Sequence, residues 1–342
     1  MRCGAPDRGS QMTRPRRLAT LLMFLLLATP VAAAGSVSDR AASTDSFQGI
    51  DGLSHPSAPL VVDTTAGLFF GPDFDLACLY GADVLEPMRQ MTRLARLISR
   101  SGRRVVWTGA PSKTSVLFDQ LDAAGLPHGG CDSAGQRAQD RALDRYRDPA
   151  YLPIRKALAA SPRQAYWRTD PHWTTVGASI WTRAVASALD PRLGRKQRYS
   201  YGTETAVGLF NSLREIDSPE TVETAMPAGP VRSRTAKNSV QQWAGYPSGV
   251  SDYAWTSKPA RLTWPGRTLV FGDSFSFYAL PTLLPVFRHG RFMWIGTVDL
   301  DDVVAAIKDA DTVVLEVYQS FLLIDSDLTS QAFRQKVRRA LH

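Results

Sequence analysis

Arg267-Thr268-Leu269-Val270-Phe271-Gly272-Asp273-Ser274-Phe275-Ser276 reads as a buried strand, a tight turn and the start of a helix. The apolar run is short and β-prone, and Gly272 permits the turn without a side-chain clash. Working outward, Phe275 to Leu284 begins a helix that stops around Pro285, and Arg291 to Ile295 is a second strand. Asp301 to Asp309 is a helix with acidic residues where the dipole favours them, and Thr312 to Val317 is a third strand. This β-α-β-α-β series predicts an α/β fold with a parallel, helix-covered sheet. Upstream, Leu60 to Asp63 and Gly67 to Gly71 are short strand candidates. Leu85, Met88, Met91, Leu94, Ala95 and Ile98 have helical spacing, and Arg104 to Pro111 is a strand running into a loop. Residues 135–160 read as helical with a break near Pro149, and Thr174 to Leu189 as a further helix. Residues 191–260 are polar with weak periodicity and read as an irregular insertion carrying some local structure. The expected organisation is one domain over 59–342.

With 342 residues, 44% hydrophobic and 21% charged, the chain has enough apolar material for a core. Half of the net charge of +8 sits in residues 1–34, where five arginines face Asp7. The remainder is mildly basic, without the Lys/Arg stripe and interleaved aromatics of a nucleic-acid binder. It is compatible with an anionic glycan or a cell-surface partner. Arg14, Arg16 and Arg17, the apolar run Leu18 to Leu27 and the small residues Val31 to Gly35 form an export-signal pattern. Residues 1–34 are therefore expected to be a signal peptide cleaved near Ala34, with an uncleaved anchor as the alternative. Residues 35–58 read as a flexible leader. The protein is expected in the periplasm, the cell envelope or the medium. Cys78 and Cys131 are the cysteines beyond the signal, an even pair in an oxidising compartment. A disulfide between them and two buried free thiols are both open.

Ser274 stands where a parallel sheet gathers its active site, at the C-terminal end of a strand. Backbone N–H groups at the following helix start would be available to an oxyanion. A serine needs a base. Among five histidines, His172 has Asp170 two residues before it, so one loop can supply both the base and the carboxylate that orients it. The plainer readings are a turn serine and a loop histidine beside a helix cap. No other His/Cys/Asp cluster lies at metal-ligand spacing, and no cofactor is expected. Trp173 could line a sugar site, with core packing an equal alternative. Tyr318 and Gln319 follow a strand, where substrate contacts also occur. Lys113 and Arg168 are candidate contacts for an anionic glycan or structural charges.

Tyr166-Trp167-Arg168-Thr169-Asp170-Pro171-His172-Trp173-Thr174 resembles the Asp-x-His-Trp element of the alginate O-acetyltransferase AlgJ/AlgX group, and Gly272 to Ser276 resembles that group's nucleophile turn. The Asp/His pair precedes the serine, as in that group and opposite to ordinary SGNH hydrolases. The resemblance implies a circularly permuted SGNH hydrolase-like domain, with Ser274 as nucleophile, His172 as base and Asp170 as orienter. It implies acetyl transfer to a polysaccharide through an acyl-enzyme, with a membrane-bound O-acyltransferase on the donor side. Val105 to Lys113 and Asp311 to Tyr318, the latter resembling the family's late apolar strand ending in a Glu (here Glu316), echo the family more weakly, and Gln319 and Ser320 stand where it often carries an Arg. A carbohydrate esterase with the same triad and a non-catalytic glycan-binding envelope protein are the competing expectations.

Overall fold

Thr268 to Gly272 is buried without interruption, and it runs through the middle of the sheet. The computed structural model describes residues 57–122, 125–235, 252–324 and 327–342. The expected signal at 1–34 and nearly all of the expected leader lie outside these. At Ala58 the chain is already tied in, its N–H donating to Asp75 Oδ1 at 2.9 Å.

Ten strands follow in order: β1 (Val61–Thr64), β2 (Gly67–Phe70), β3 (Arg104–Ala110), β4 (Tyr199–Ala206), β5 (Glu220–Pro227), β6 (Arg232–Thr235), β7 (Asp252–Lys258), β8 (Trp264–Gly272), β9 (Phe287–Trp294) and β10 (Thr312–Tyr318). Six form the main sheet in the order β3-β10-β8-β9-β7-β6. The first four are parallel, and β7 and β6 add an antiparallel edge. β1 pairs with β2 and β4 with β5 as separate antiparallel ribbons.

All seven residues of β10 are buried, as expected of a strand covered by helices on both faces. Side chains alternate between faces. Val313, Leu315 and Val317 join one core with the helices Leu85–Arg100, Leu300–Asp309 and Gln331–Leu341. Val314 and Tyr318 join the other, with Trp181 and Val185 of the helix Thr175–Leu189 and Phe275 and Leu280 of the helix Ser274–Leu283. The α/β architecture with a largely parallel, helix-covered sheet therefore agrees with the expectation. Cys78 and Cys131 are joined as a disulfide, their Cα atoms 5.3 Å apart.

Of the expected insertion, residues 236–251 lie outside the described residues, and the remaining residues of 191–260 hold more order than their weak periodicity indicates. They contribute the helices Pro191–Lys196 and Leu209–Leu213, the β4–β5 ribbon, and two strands of the main sheet. No residue of β4 is fully buried, and β5 buries only Val222 and Ala225, so neither carries a two-residue apolar rhythm. In β7 the inward positions are Tyr253, Trp255 and Ser257, and the hydroxyl of Ser257 breaks the apolar pattern.

Leu315 is fully buried at the centre of β10. Leu315→Ala is expected to lower unfolding free energy by about 2–5 kcal/mol, as cavity-forming core substitutions do. Chemical denaturation measures this, and a loss below ~1 kcal/mol would contradict a close-packed central strand.

Candidate active site

The loop Asp170-Pro171-His172 is closed by a bridge between Tyr166 and Trp173. Its base is tightened by the Thr174 N–H donating to the Ala165 carbonyl at 2.9 Å. Thr174 then caps the helix Thr175–Leu189, its Oγ1 accepting from the N–H groups of Val176 and Gly177. Several elements clamp the loop. The carbonyl of Arg168 accepts from the Leu68 N–H at 2.7 Å and from Lys113 Nζ at 2.8 Å. The N–H groups of Arg168 and Thr169 donate to the two carboxylate oxygens of Glu220, each at 2.9 Å. Asp170 Oδ2 accepts the Leu209 N–H at 2.9 Å. Gly208 makes this last approach possible, because a Cβ there would lie 2.5 Å from the Thr169 carbonyl oxygen.

Ser274 lies at the C-terminal end of β8, the first residue of the helix Ser274–Leu283. Asp273 caps that helix, Oδ1 accepting the Phe275 N–H at 2.9 Å, while Oδ2 accepts the Tyr318 N–H at 2.6 Å. Trp173 ties the two motifs together, its Nε1 donating to the Phe275 carbonyl at 3.0 Å.

The structure brings Ser274, His172 and Asp170 into one hydrogen-bonded row. His172 Nε2 is 2.7 Å from Ser274 Oγ, and His172 Nδ1 is 2.6 Å from Asp170 Oδ1. Both bonds are within the reach that a nucleophile–base–orienter set requires. His172 and Asp170 are buried, and Ser274 is half-buried. The imidazole lies on Tyr278, ring centroids 4.3 Å apart and 19° from parallel, with Phe275 at 4.9 Å on a tilt. Tyr278 sits four residues after Ser274, so both emerge on one side of the helix. Burial alone would raise the Asp170 carboxyl, but His172 beside it and the N–H groups of His172 and Leu209 hold it below the ordinary carboxylate range. Asp170 thus stays ionised beside the ring and fixes the proton on Nδ1, leaving Nε2 to accept from Ser274.

The other expected contacts sit inside the scaffold. Trp173 is fully buried between Trp181 and Phe275. The Tyr318 hydroxyl donates to Asp73, 2.7 Å from Oδ1, and its ring stacks on Phe275. Gln319 Nε2 donates to Gln139 Oε1 at 3.0 Å, and its Oε1 accepts the Ser112 N–H at 3.3 Å. All three are buried with their polar atoms engaged by protein, so they position the site rather than line a groove. Lys113 is buried too, its Nζ donating to the carbonyls of Leu68 and Arg168, so it offers no charge to a glycan. Arg168 is exposed.

Asp73 and Glu220 were not singled out by sequence reasoning, and Glu316 entered it only as the acid of the weaker strand resemblance, without a role at the site. Asp73 is buried and accepts from the hydroxyls of Tyr318, Ser320 and Thr114; burial outweighs these and lifts its carboxyl to about 6. Glu220 clamps the loop as described. Glu316 lies under the Ser274 turn. A lone acid in an otherwise apolar strand was the available signal for Glu316. Among the described residues, no cluster of three or more His, Cys, Asp or Glu side chains could hold a metal ion.

Lys113 gives the loop a measurable pH signature. Burial lowers its ammonium to about 7, against the opposing pull of Asp170 and Glu220. A neutral amine still has two N–H bonds for its two carbonyl partners. Between pH 7 and 10 the unfolded chain binds the proton that the native amine has released, so stability rises with pH by up to about 1.4 kcal/mol per unit. Lys113→Met lacks this rise. The stability gap between wild type and variant is expected to widen from pH 7 to pH 9.5 in denaturant titrations, and a constant gap would refute the neutral amine.

Residues 68–242, just over half of the chain, match the family model described as the SGNH hydrolase-like domain of acetyltransferase AlgX. The match includes Asp170 and His172 and ends before Ser274. No curated protein matches the chain in sequence. Among solved structures, PatB1 of Bacillus cereus superposes with a TM-score of 0.57 at 16% identity, covering 79% of this chain and 98% of that one. A DHHW family protein of Eubacterium siraeum gives 0.54 at 16% identity, covering 82% and 96%. AlgX of Pseudomonas aeruginosa gives 0.51 at 15% identity, covering 82% and 65%. At these identities the likeness is one of fold.

Proposed function

We propose, from the premise that the chain belongs to the AlgX-type family of SGNH hydrolase-like acetyltransferase domains, that it moves acetyl groups onto a polysaccharide through Ser274. The observation that carries this reading is the unbroken row from Asp170 through His172 to Ser274 at the C-terminal end of β8.

In this reading the Ser274 Oγ–H proton passes to His172 Nε2 as Oγ attacks the acetyl carbonyl of the donor. The tetrahedral oxyanion forms at the start of the helix Ser274–Leu283. There the Phe275 N–H is held by Asp273 and the Ser276 N–H by Glu316, which leaves the Ser274 N–H to receive it. Collapse breaks the bond to the leaving group, which takes the proton from His172. A sugar hydroxyl then gives its proton to Nε2 and attacks the acetyl-serine carbonyl; the bond to Ser274 Oγ breaks, Oγ takes the proton back from His172, and the ester passes to the sugar. Asp170 compensates the imidazolium in both halves. The N-terminal signal pattern supports action outside the cytoplasm. The family resemblance supports a membrane-bound O-acyltransferase as the source of the acetyl group. If water replaces the sugar, the same site is a carbohydrate esterase.

Hydrolysis of a chromogenic acetyl ester tests the serine. Ser274→Ala and His172→Ala are expected to lose at least ~10³-fold in kcat/KM, and Asp170→Asn a comparable amount through the wrong imidazole tautomer. Equal rates in wild type and Ser274→Ala would refute the reading. Mass spectrometry of oligosaccharides incubated with enzyme and acetyl ester separates the outcomes. Added acetyl groups mark a transferase, and only free acetate marks an esterase.

A further inference from the structure

Glu316 occupies a core position where a charge is costly. It lies in β10, whose seven residues are all buried, and it shares a face with Val314 and Tyr318 against the helix that begins at Ser274. Among the described residues, it forms no ion pair with a cation. A carboxylate in such surroundings needs a partner or a proton. Its hydrogen bonds converge on the serine turn. Glu316 Oε2 accepts the Asp273 N–H at 3.2 Å, the Ser276 N–H at 3.1 Å and the Ser276 hydroxyl at 2.7 Å. Three donors of one turn therefore meet a single oxygen. Oε1 is buried and accepts no hydrogen bond. Gly272 admits this arrangement, because a Cβ there would lie 2.8 Å from Glu316 Oε2 and 2.2 Å from Ser276 Oγ. The motif Gly272-Asp273-Ser274-Phe275-Ser276 thus has a reader on the neighbouring strand, which touches every position except Ser274 and Phe275. Burial raises both neighbouring acids, but the Asp273 carboxyl, with two backbone N–H bonds spread over its two oxygens, is raised less far than that of Glu316, so it is the one of the two that ionises first.

We infer that Glu316 is a positioning residue that acts as a neutral acid. Its carbonyl oxygen Oε2 gathers the turn, its proton sits on Oε1, and together they hold Ser274 Oγ against the His172 ring. Burial and the Asp273 charge act in the same direction, raising Glu316 well above the ordinary carboxylate range. The inference rests on Ser274 being the nucleophile.

The test uses a fluorophosphonate probe, which labels an activated serine and can be located by mass spectrometry, together with acetyl-ester kinetics. Wild type is expected to be labelled at Ser274 and Ser274→Ala not at all. Glu316→Ala removes the shared acceptor and should slow labelling and kcat ~100-fold, the scale of a misplaced reacting group, with KM changed less than ~3-fold. Glu316→Gln keeps a carbonyl and a donor in one neutral group and should stay within ~3-fold of wild type. Rescue by Gln but not by Ala is the outcome that a merely space-filling role does not produce. Labelling of Glu316→Ala at the wild-type rate would overturn this inference alone, as would a Gln variant as slow as the Ala variant. Failure to label Ser274 in wild type would overturn the nucleophile reading and this inference with it. If Glu316→Ala does not fold, Ser276→Ala strips one donor from the same oxygen and carries the test. An unchanged labelling rate in Ser276→Ala would then overturn the inference.

Discussion

The hydrogen bond from Trp173 Nε1 to the Phe275 carbonyl joins the two loops on which everything else depends. Trp173 follows His172 directly, and Phe275 follows Ser274 directly, so one stiff aromatic side chain sets the spacing of both reactive groups. The residues are 102 apart in sequence, and neither loop has local structure that would bring it to the other. The indole is clamped between Trp181 and Phe275, which leaves it no alternative rotamer without opening the core. Under the proposed mechanism, His172 Nε2 and Ser274 Oγ, held at 2.7 Å by a buried bolt, would lose little orientational freedom on reaction.

Around this bolt the protein buries several ionisable groups, each with local hydrogen-bond partners. Asp170 accepts backbone N–H groups from His172 and Leu209. Asp73 receives three hydroxyls, Lys113 gives its protons to two carbonyls, and Glu316 collects three donors from one turn. Buried polar groups cost little only when bonded, and this network, satisfied except at Glu316 Oε1, narrows the arrangements open to its members. The same groups connect β3, β8 and β10 to the loops at their C-terminal ends. The site is therefore anchored in the sheet, and Ser274 is half-buried where His172 and Asp170 are buried.

Much of this was legible along the chain. Strand β10 and the amphipathic helix Leu85–Arg100 announced themselves through continuous and 3.6-residue apolar patterns. Ser274, His172 and Asp170 stood out because acyl-transfer chemistry needs these residue types and few histidines were available. The ribbon β4–β5 and the strands β6 and β7 were hidden, since strands that bury few apolar side chains carry no rhythm to read. That region also supplies Leu209 and Glu220 to the His172 loop, so part of the site was hidden with it.

Trp173, Tyr318 and Gln319 mark the boundary between the two kinds of information. Their sequence positions, beside His172 and just after β10, place them near the site, and near it they are. Whether a residue near a site faces substrate or braces the scaffold depends on which neighbours cover it, and that is a property of three-dimensional packing. The sequence by itself determined the parallel part of the sheet, the order of the motifs and the candidates for the reactive groups, because periodicity and residue chemistry are local. Only the tertiary structure decided which groups meet at hydrogen-bond distance, which are sealed beneath them, and that Glu316 sits under the serine turn. Those facts depend on contacts between segments far apart in the chain, and no local pattern records them.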